Sequence, residues 1–193
     1  MNKLTLEDIK DQRAYERERA DFRARIIAMK KRRRIQLGPL LTVTFENTDT
    51  MRFQVQEMAR VERMLTDEQI QHEVDTYNEL IPGPGQLSAT LFIEIDDTAK
   101  LYEWLPKLVG IQRAVSFWLP EGTVVRGEPL DEEYLVREET TTTVHYLRFT
   151  FIPEQVDAVG EPGARIVVDH PHYDAVVELS DEQRDELVGD LRS

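Results

Sequence analysis

Residues 82–85 read Pro-Gly-Pro-Gly, and the spacing of apolar residues changes across them. No helix or strand interior runs through two prolines and two glycines, so this stretch is a break in the chain. On its N-terminal side the apolar residues recur mostly at helical spacing: Phe22, Ile26, Ile27 and Met29, then Met51, Val55, Met58 and Leu65. On its C-terminal side they alternate or run in β-branched clusters, as in Leu87–Ile95, Thr141–Ile152 and the pair 164–170 and 174–180. Helices thus dominate the first 80 residues and strands the rest. The pattern predicts an α+β fold, a helical N-terminal part packed on a mainly antiparallel β-sheet. A chain of 193 residues is expected to be a single domain, 1–193, with 1–36 a helical segment ending in basic residues and 37–193 mixed helix and sheet.

Thr5 has the character of an N-cap, with Glu7 and Asp8 in the following turn, so a helix is predicted from about residue 5. A second stretch, possible as its continuation, covers about 19–34 and stops at Leu-Gly-Pro (37–39). Residues 40–47 alternate and are β-branched, predicting a strand between the helical stretches. Further helices are predicted from Thr50 to Leu65, from 66 to about 80, over 96–110 and, capped by Ser180, at the C-terminus.

Charge is polarised. The net formal charge is −13, yet residues 1–34 hold 12 Lys/Arg and 6 Asp/Glu, a net of +6, leaving −19 on the remainder. Five of the cations are consecutive, Lys30 to Arg34. Cations in a last helical turn complement the helix dipole at roughly 0.3–1 kcal/mol each, but five exceed what capping needs. The surplus predicts a contact with carboxylates, either this chain's own or those of an acidic partner. Nucleic acid is disfavoured because no aromatics interleave with the run and the acidic remainder repels phosphate.

Four groups of residues have the chemistry of a site. Lys31, Arg32, Arg33 and Arg34 form the first, a partner- or anion-binding surface. Arg52, Gln54, Gln56 and Arg60, around Glu57, form an arginine-and-amide helix face suited to a carboxylate or phosphate. The alternative for both is a solvated or self-paired surface. His145 lies on an otherwise apolar strand face with Leu147, Phe149 and Phe151, as a ligand or as a satisfied core histidine. Asp169, His170, His172 and Asp174 cluster about a turn at Pro171, which reads either as donors for one transition metal (iron, zinc or manganese) or as a polar hairpin tip. Glu57, His145 and His170 are the candidate metal ligands if the fold brings them together.

Cysteine is absent, which excludes disulfides, thiolate catalysis and cysteine-held clusters in this chain. No phosphate loop, nucleophile elbow or His-Glu-x-x-His occurs. No run of about 18 apolar residues is present and the first residues lack a signal-like apolar centre, so the expectation is a cytoplasmic chain outside the membrane.

The segments FRARIIAMKKRRRIQLGP, TMRFQVQEMARVER, YNELIPGPGQLSATLFIEI, LVGI, HYLRF and VDHPHY, in this order, resemble an uncharacterised bacterial family, a domain of unknown function. The resemblance spans about residues 4–180. Members of that family tend to be encoded beside a rubrerythrin-like di-iron protein and an iron–sulfur oxidoreductase of the heterodisulfide-reductase kind. It thus implies a part in oxidative stress or electron transfer and names no catalytic residue. It carries over Arg32, Arg33, Arg34, Gln54, Gln56, Glu57, His145, Asp169 and His170 as positions of the family pattern, whereas His172 is peculiar to this chain. The combined expectation is a non-catalytic accessory protein that binds an acidic redox partner, the rubrerythrin-like or iron–sulfur protein, and forms a homodimer through its opposed charges. The alternatives are a small metal-binding oxidoreductase or metal-handling protein, and nucleic-acid binding through the basic run.

Overall fold

In the computed structural model, which describes residues 1–130, 136–137 and 140–193, two antiparallel sheets face each other and the N-terminal helices cover the outer side of the larger one. The strands are β1 (Arg34–Leu37), β2 (Leu41–Glu46), β3 (Gln86–Ile93), β4 (Val115–Trp118), β5 (Val124–Arg126), β6 (Glu128–Pro129), β7 (Val136–Arg137), β8 (Thr140–Thr141), β9 (Val144–Thr150), β10 (Arg165–His170) and β11 (Tyr173–Glu178). The first sheet runs β1-β2-β3-β9-β6 and the second β11-β10-β4-β5, with β7 and β8 a separate pair. The helices are α1 (Gln12–Arg33), α2 (Thr48–Val61), α3 (Asp67–Asn78), α4 (Thr98–Lys107), α5 (Pro153–Val159) and α6 (Asp181–Leu191). This is the α+β architecture that the change of period predicts.

The main core lies between the sheets. Alternation in β2 sends Leu41, Val43 and Phe45 inward, and β3 and β9 add Leu87, Ala89, Leu91, Leu147 and Phe149. Phe117 of β4 meets the Phe149 ring edge-on at 5.0 Å and the Phe151 ring at 5.3 Å. The opposite face of β2 is also buried, although it carries Thr42, Thr44 and Glu46, because helices cover it. There Thr90 donates to Glu46 Oε1 at 2.8 Å. A second cluster, Leu4, Met51, Val55, Val74, Leu80 and Ile81, joins the N-terminal segment to α2 and α3. A third, Tyr15, Phe22 and Ile26 with Phe53, joins α1 to α2.

Several local expectations are corrected. The helix expected from residue 5 is a single 3-10 turn, Leu6–Asp8, closed by Asp8 accepting from the Thr5 amide and hydroxyl. The helix proper starts after Asp11, whose carboxylate accepts from the amides of Arg13 and Ala14, and runs unbroken to Arg33. Residues 34–37 form a strand directly after it, with Ile35 and Leu37 buried. Helix α5 follows Pro153 at its first position, where the missing N–H costs nothing. Leu65, expected as the last residue of the helix from Thr50 and at helical spacing from Met51, Val55 and Met58, lies past the end of α2 and is 81% exposed.

Candidate functional site

Beside the Tyr15–Phe22–Phe53 contact, one carboxylate ties α1 to α2. Glu57 Oε1 accepts from the Tyr15 hydroxyl at 2.6 Å and from Arg19 Nε at 2.7 Å. Its Oε2 accepts from Arg19 Nη2 at 2.9 Å and from Arg60 Nη2 at 3.3 Å. The Arg19 guanidinium, helped by Tyr15 and Arg60, holds the Glu57 carboxyl at about 2, far below the usual carboxylate range. Burial, and then the carboxylate it donates to, push the Tyr15 phenol up, so it remains a donor. Glu57 is therefore fully committed as an ionised clasp.

The basic run is largely neutralised within the chain. Arg33 is 3% exposed, clamps Asp190 with two nitrogens (Nη2–Oδ1 2.8 Å) and gives Nε to Glu186 at 2.9 Å. Arg32 Nε reaches the other Glu186 oxygen at 3.0 Å, Arg34 pairs with Glu94, and Lys30 stands 3.9 Å from buried Glu46. Burial pushes the Asp190 carboxyl up, against the pull of Arg33; the two-point contact keeps the pair charged. Lys31 points outward and forms no ion pair among the described residues.

On α2, Arg52 lies over the Phe22 ring at 5.0 Å and pairs with Asp49, while Gln54 reaches the Tyr77 hydroxyl at 3.4 Å. Gln56 is 3% exposed and clamps the backbone of Lys10, accepting its N–H at 2.9 Å and donating to its carbonyl at 2.8 Å. These residues thus lie along one helix but meet different neighbours, and Gln56 is not part of a solvated face.

The metal candidates have separate partners. His145 is 2% exposed, and its Nε2 contacts the Thr142 carbonyl at 3.1 Å and the Thr141 hydroxyl at 2.9 Å. A carbonyl only accepts, so Nε2 carries the proton. Burial pushes this imidazole below its ordinary value. His170 donates through Nε2 to the Val109 carbonyl at 3.0 Å and accepts the His172 amide on Nδ1 at 3.3 Å, which engages both ring nitrogens. The two imidazoles and Glu57 thus do not converge, and among the described residues no group of three His, Asp or Glu could hold a metal ion.

A cavity of about 250 Å³ opens where the Leu6–Tyr15 segment meets the ends of α2 and α3. Arg60 and Gln56 line it together with Ile9, Tyr15, Leu65 and Ile70. Between α2 and the lining residues Met64 and Leu65 stands Arg63, in the left-handed region at φ 54°. Arg63 occupies the position after the α2 cap where glycine is usual, and the Met64 amide bonds back to the Ala59 carbonyl at 2.9 Å. That conformation costs of order 1 kcal/mol in a non-glycine residue, and it turns the chain into Met64 and Leu65, which line the cavity. The sequence signal for this cavity was absent, because no motif marks a turn held by an arginine.

Outward on α1, Arg13, Arg17, Arg23 and Lys31 are exposed and have no ion pair among the described residues, with Ala20, Ala24 and a 45% exposed Ile27 between them. No helix among the described residues is long and apolar enough to cross a membrane.

A family model described as "Protein of unknown function (DUF3501)" matches residues 3–191. Among solved structures, the crystal structure of a novel protein of unknown function from Burkholderia pseudomallei K96243 is similar to this chain. It is 34% identical, covers 98% of this chain and 100% of its own, and superposes with a TM-score of 0.90. No curated protein matches the chain.

Proposed function

The chain belongs to this family of unknown function, membership brings no activity with it, and from the charge and geometry we propose a non-catalytic accessory protein that binds an acidic protein partner along the outer face of α1. The observation that carries the reading is the set of outward cations, Arg13, Arg17, Arg23 and Lys31, left without carboxylates among the described residues of a chain whose net charge is −13. The same helix buries Tyr15, Phe22 and Ile26 on its other side, so the backbone that presents these cations is already fixed and docking orders only their side chains. Arg32, Arg34 and Arg52 are partly exposed but each is paired with a carboxylate of the chain, so they add little to this surface. Complementary charge of this kind steers encounter and weakens with salt.

The motif resemblance supplies the partners to try, a rubrerythrin-like di-iron protein and an iron–sulfur oxidoreductase, and with them a role in oxidative stress or electron transfer. The test is a binding titration of each against the wild-type chain and against the fourfold variant Arg13→Glu, Arg17→Glu, Arg23→Glu, Lys31→Glu. The expected result is binding that falls as salt rises from about 50 mM and is at least about tenfold weaker in the variant. No complex with either protein at any salt defeats the reading, as does tighter binding to duplex DNA. Self-association lost in the same variant would identify a second copy as the acidic partner, making the protein a homodimer.

A further inference from the structure

The cavity beside Arg60 has the make-up of a small-molecule site, and it lies apart from the docking face just described. One wall is apolar, with Ile9 and Ile70 under the rim. Most polar groups on the other wall are already committed. The Tyr15 hydroxyl serves Glu57, both amide atoms of Gln56 serve the Lys10 backbone, and Asp11 caps α1. Arg60 differs. Its Nη2 makes one bond of 3.3 Å to Glu57 and its Nη1 stands 3.9 Å from the Glu16 carboxylate, too far for a hydrogen bond, so Nη1 is the donor open to a ligand, whereas Nε is buried out of reach. A guanidinium with unused donors beside an apolar chamber is a carboxylate receptor with room for a short tail.

Size and charge narrow the ligand further. About 250 Å³ holds about eight water-sized atoms at roughly 30 Å³ each. Lys10 pairs with Glu18, Arg60 is flanked by Glu57 and Glu16, and Asp11 and Asp67 also line the site. These carboxylates oppose a dianion such as phosphate more strongly than a monoanion. At the rim, Leu65 is 81% exposed, held there by the left-handed Arg63. An apolar side chain kept in water over an apolar chamber loses that exposure when a tail fills the space beneath it.

We propose that this cavity binds a small monocarboxylate with a linear apolar body, its carboxylate on Arg60 and its tail beneath Leu65 and Ile70. The probes are hexanoate, hexan-1-ol and inorganic phosphate, each titrated into the full chain and read from backbone amide shifts. Hexanoate is expected to give saturable shifts at Gln56, Arg60 and Leu65 with a Kd of about 1 mM or tighter. Hexan-1-ol, which has the same body without the charge, should bind at least about tenfold more weakly, and phosphate should give no shifts at these amides. Arg60→Met should abolish the preference for the acid over the alcohol. Leu65→Ser, at a position that contributes little to the core, should weaken both. The proposal is overturned if hexanoate gives no saturable shifts on the wild-type chain, if the alcohol binds as well as the acid, or if the shifts fall elsewhere. The wild-type comparison decides even if Arg60→Met does not fold.

Discussion

Replacing Glu57 by glutamine tests how the helical layer is held. The carboxyl is lowered from 4.5 to about 2, which at 1.36 kcal/mol per unit is about 3 kcal/mol of preference for the charged form. The side chain is one-fifth exposed, and solvent screening reduces this to about 1–2 kcal/mol. The substitution also turns an amide NH₂ toward Arg19 Nη2 and Arg60 Nη2, both donors, adding about 1 kcal/mol for unmet bonds. The expected loss for Glu57→Gln is thus about 2–3 kcal/mol, or about 4–12 °C in Tm for a chain of this length. Thermal unfolding followed by circular dichroism measures it. The sign of the pH dependence is fixed by the lowered value. The unfolded chain takes up the proton near 4.5 and the folded chain only near 2, so the contribution is complete above about pH 4.5 and is lost as pH falls toward 2. The gap between wild type and variant should therefore be constant from about pH 7 to 5 and shrink below about 4.5. A loss under about 0.5 kcal/mol, or a gap that stays the same at pH 3.5, would refute the account of Glu57 as an ionised clasp.

Two further outcomes follow from buried titratable groups. Burial lowers the His145 value below 6.5, so the unfolded chain protonates first, and stability is complete above about pH 6.5 and declines below it. His145→Leu should flatten the slope of Tm between about pH 6.5 and 5, and an unchanged slope would show that this imidazole is not the source. Arg33→Met leaves Asp190 buried without its counter-charge and should cost about 3–5 kcal/mol in urea unfolding, most of which the double variant with Asp190→Leu recovers. A single-variant cost below about 1 kcal/mol would contradict the two-point pairing.

The elements whose patterns are local were readable in advance. Phe22 and Ile26 repeat at helical spacing and are buried on α1, and Leu147, Phe149 and Phe151 alternate from His145 and all face the core. Elements without a pattern of their own were not. Residues 34–37 are too few to show alternation and follow a helix without a turn, and α5 is only seven residues long. The basic run illustrates the boundary. That it ends a helix was legible from its neighbours, but Arg33 meets Asp190 across 157 positions and Arg32 meets Glu186 across 154, and no spacing rule spans such a distance. The metal grouping failed for a related reason, since a strand pattern cannot show that His170 spends its ring nitrogens on Val109 and His172.

The sequence by itself determined the fold class, the helical and strand halves, the buried Phe22–Ile26 side of α1, the inward face of β9 and the lopsided charge, because periodicity and composition act over a few neighbouring residues. Only the tertiary structure decided which cations are spent inside the chain and which remain on the outer face of α1, which carboxylate ties α1 to α2, and that a cavity with an under-used guanidinium lies beside Leu65. Those outcomes depend on distances between residues far apart in the chain, which are set only when the helices settle on the sheet.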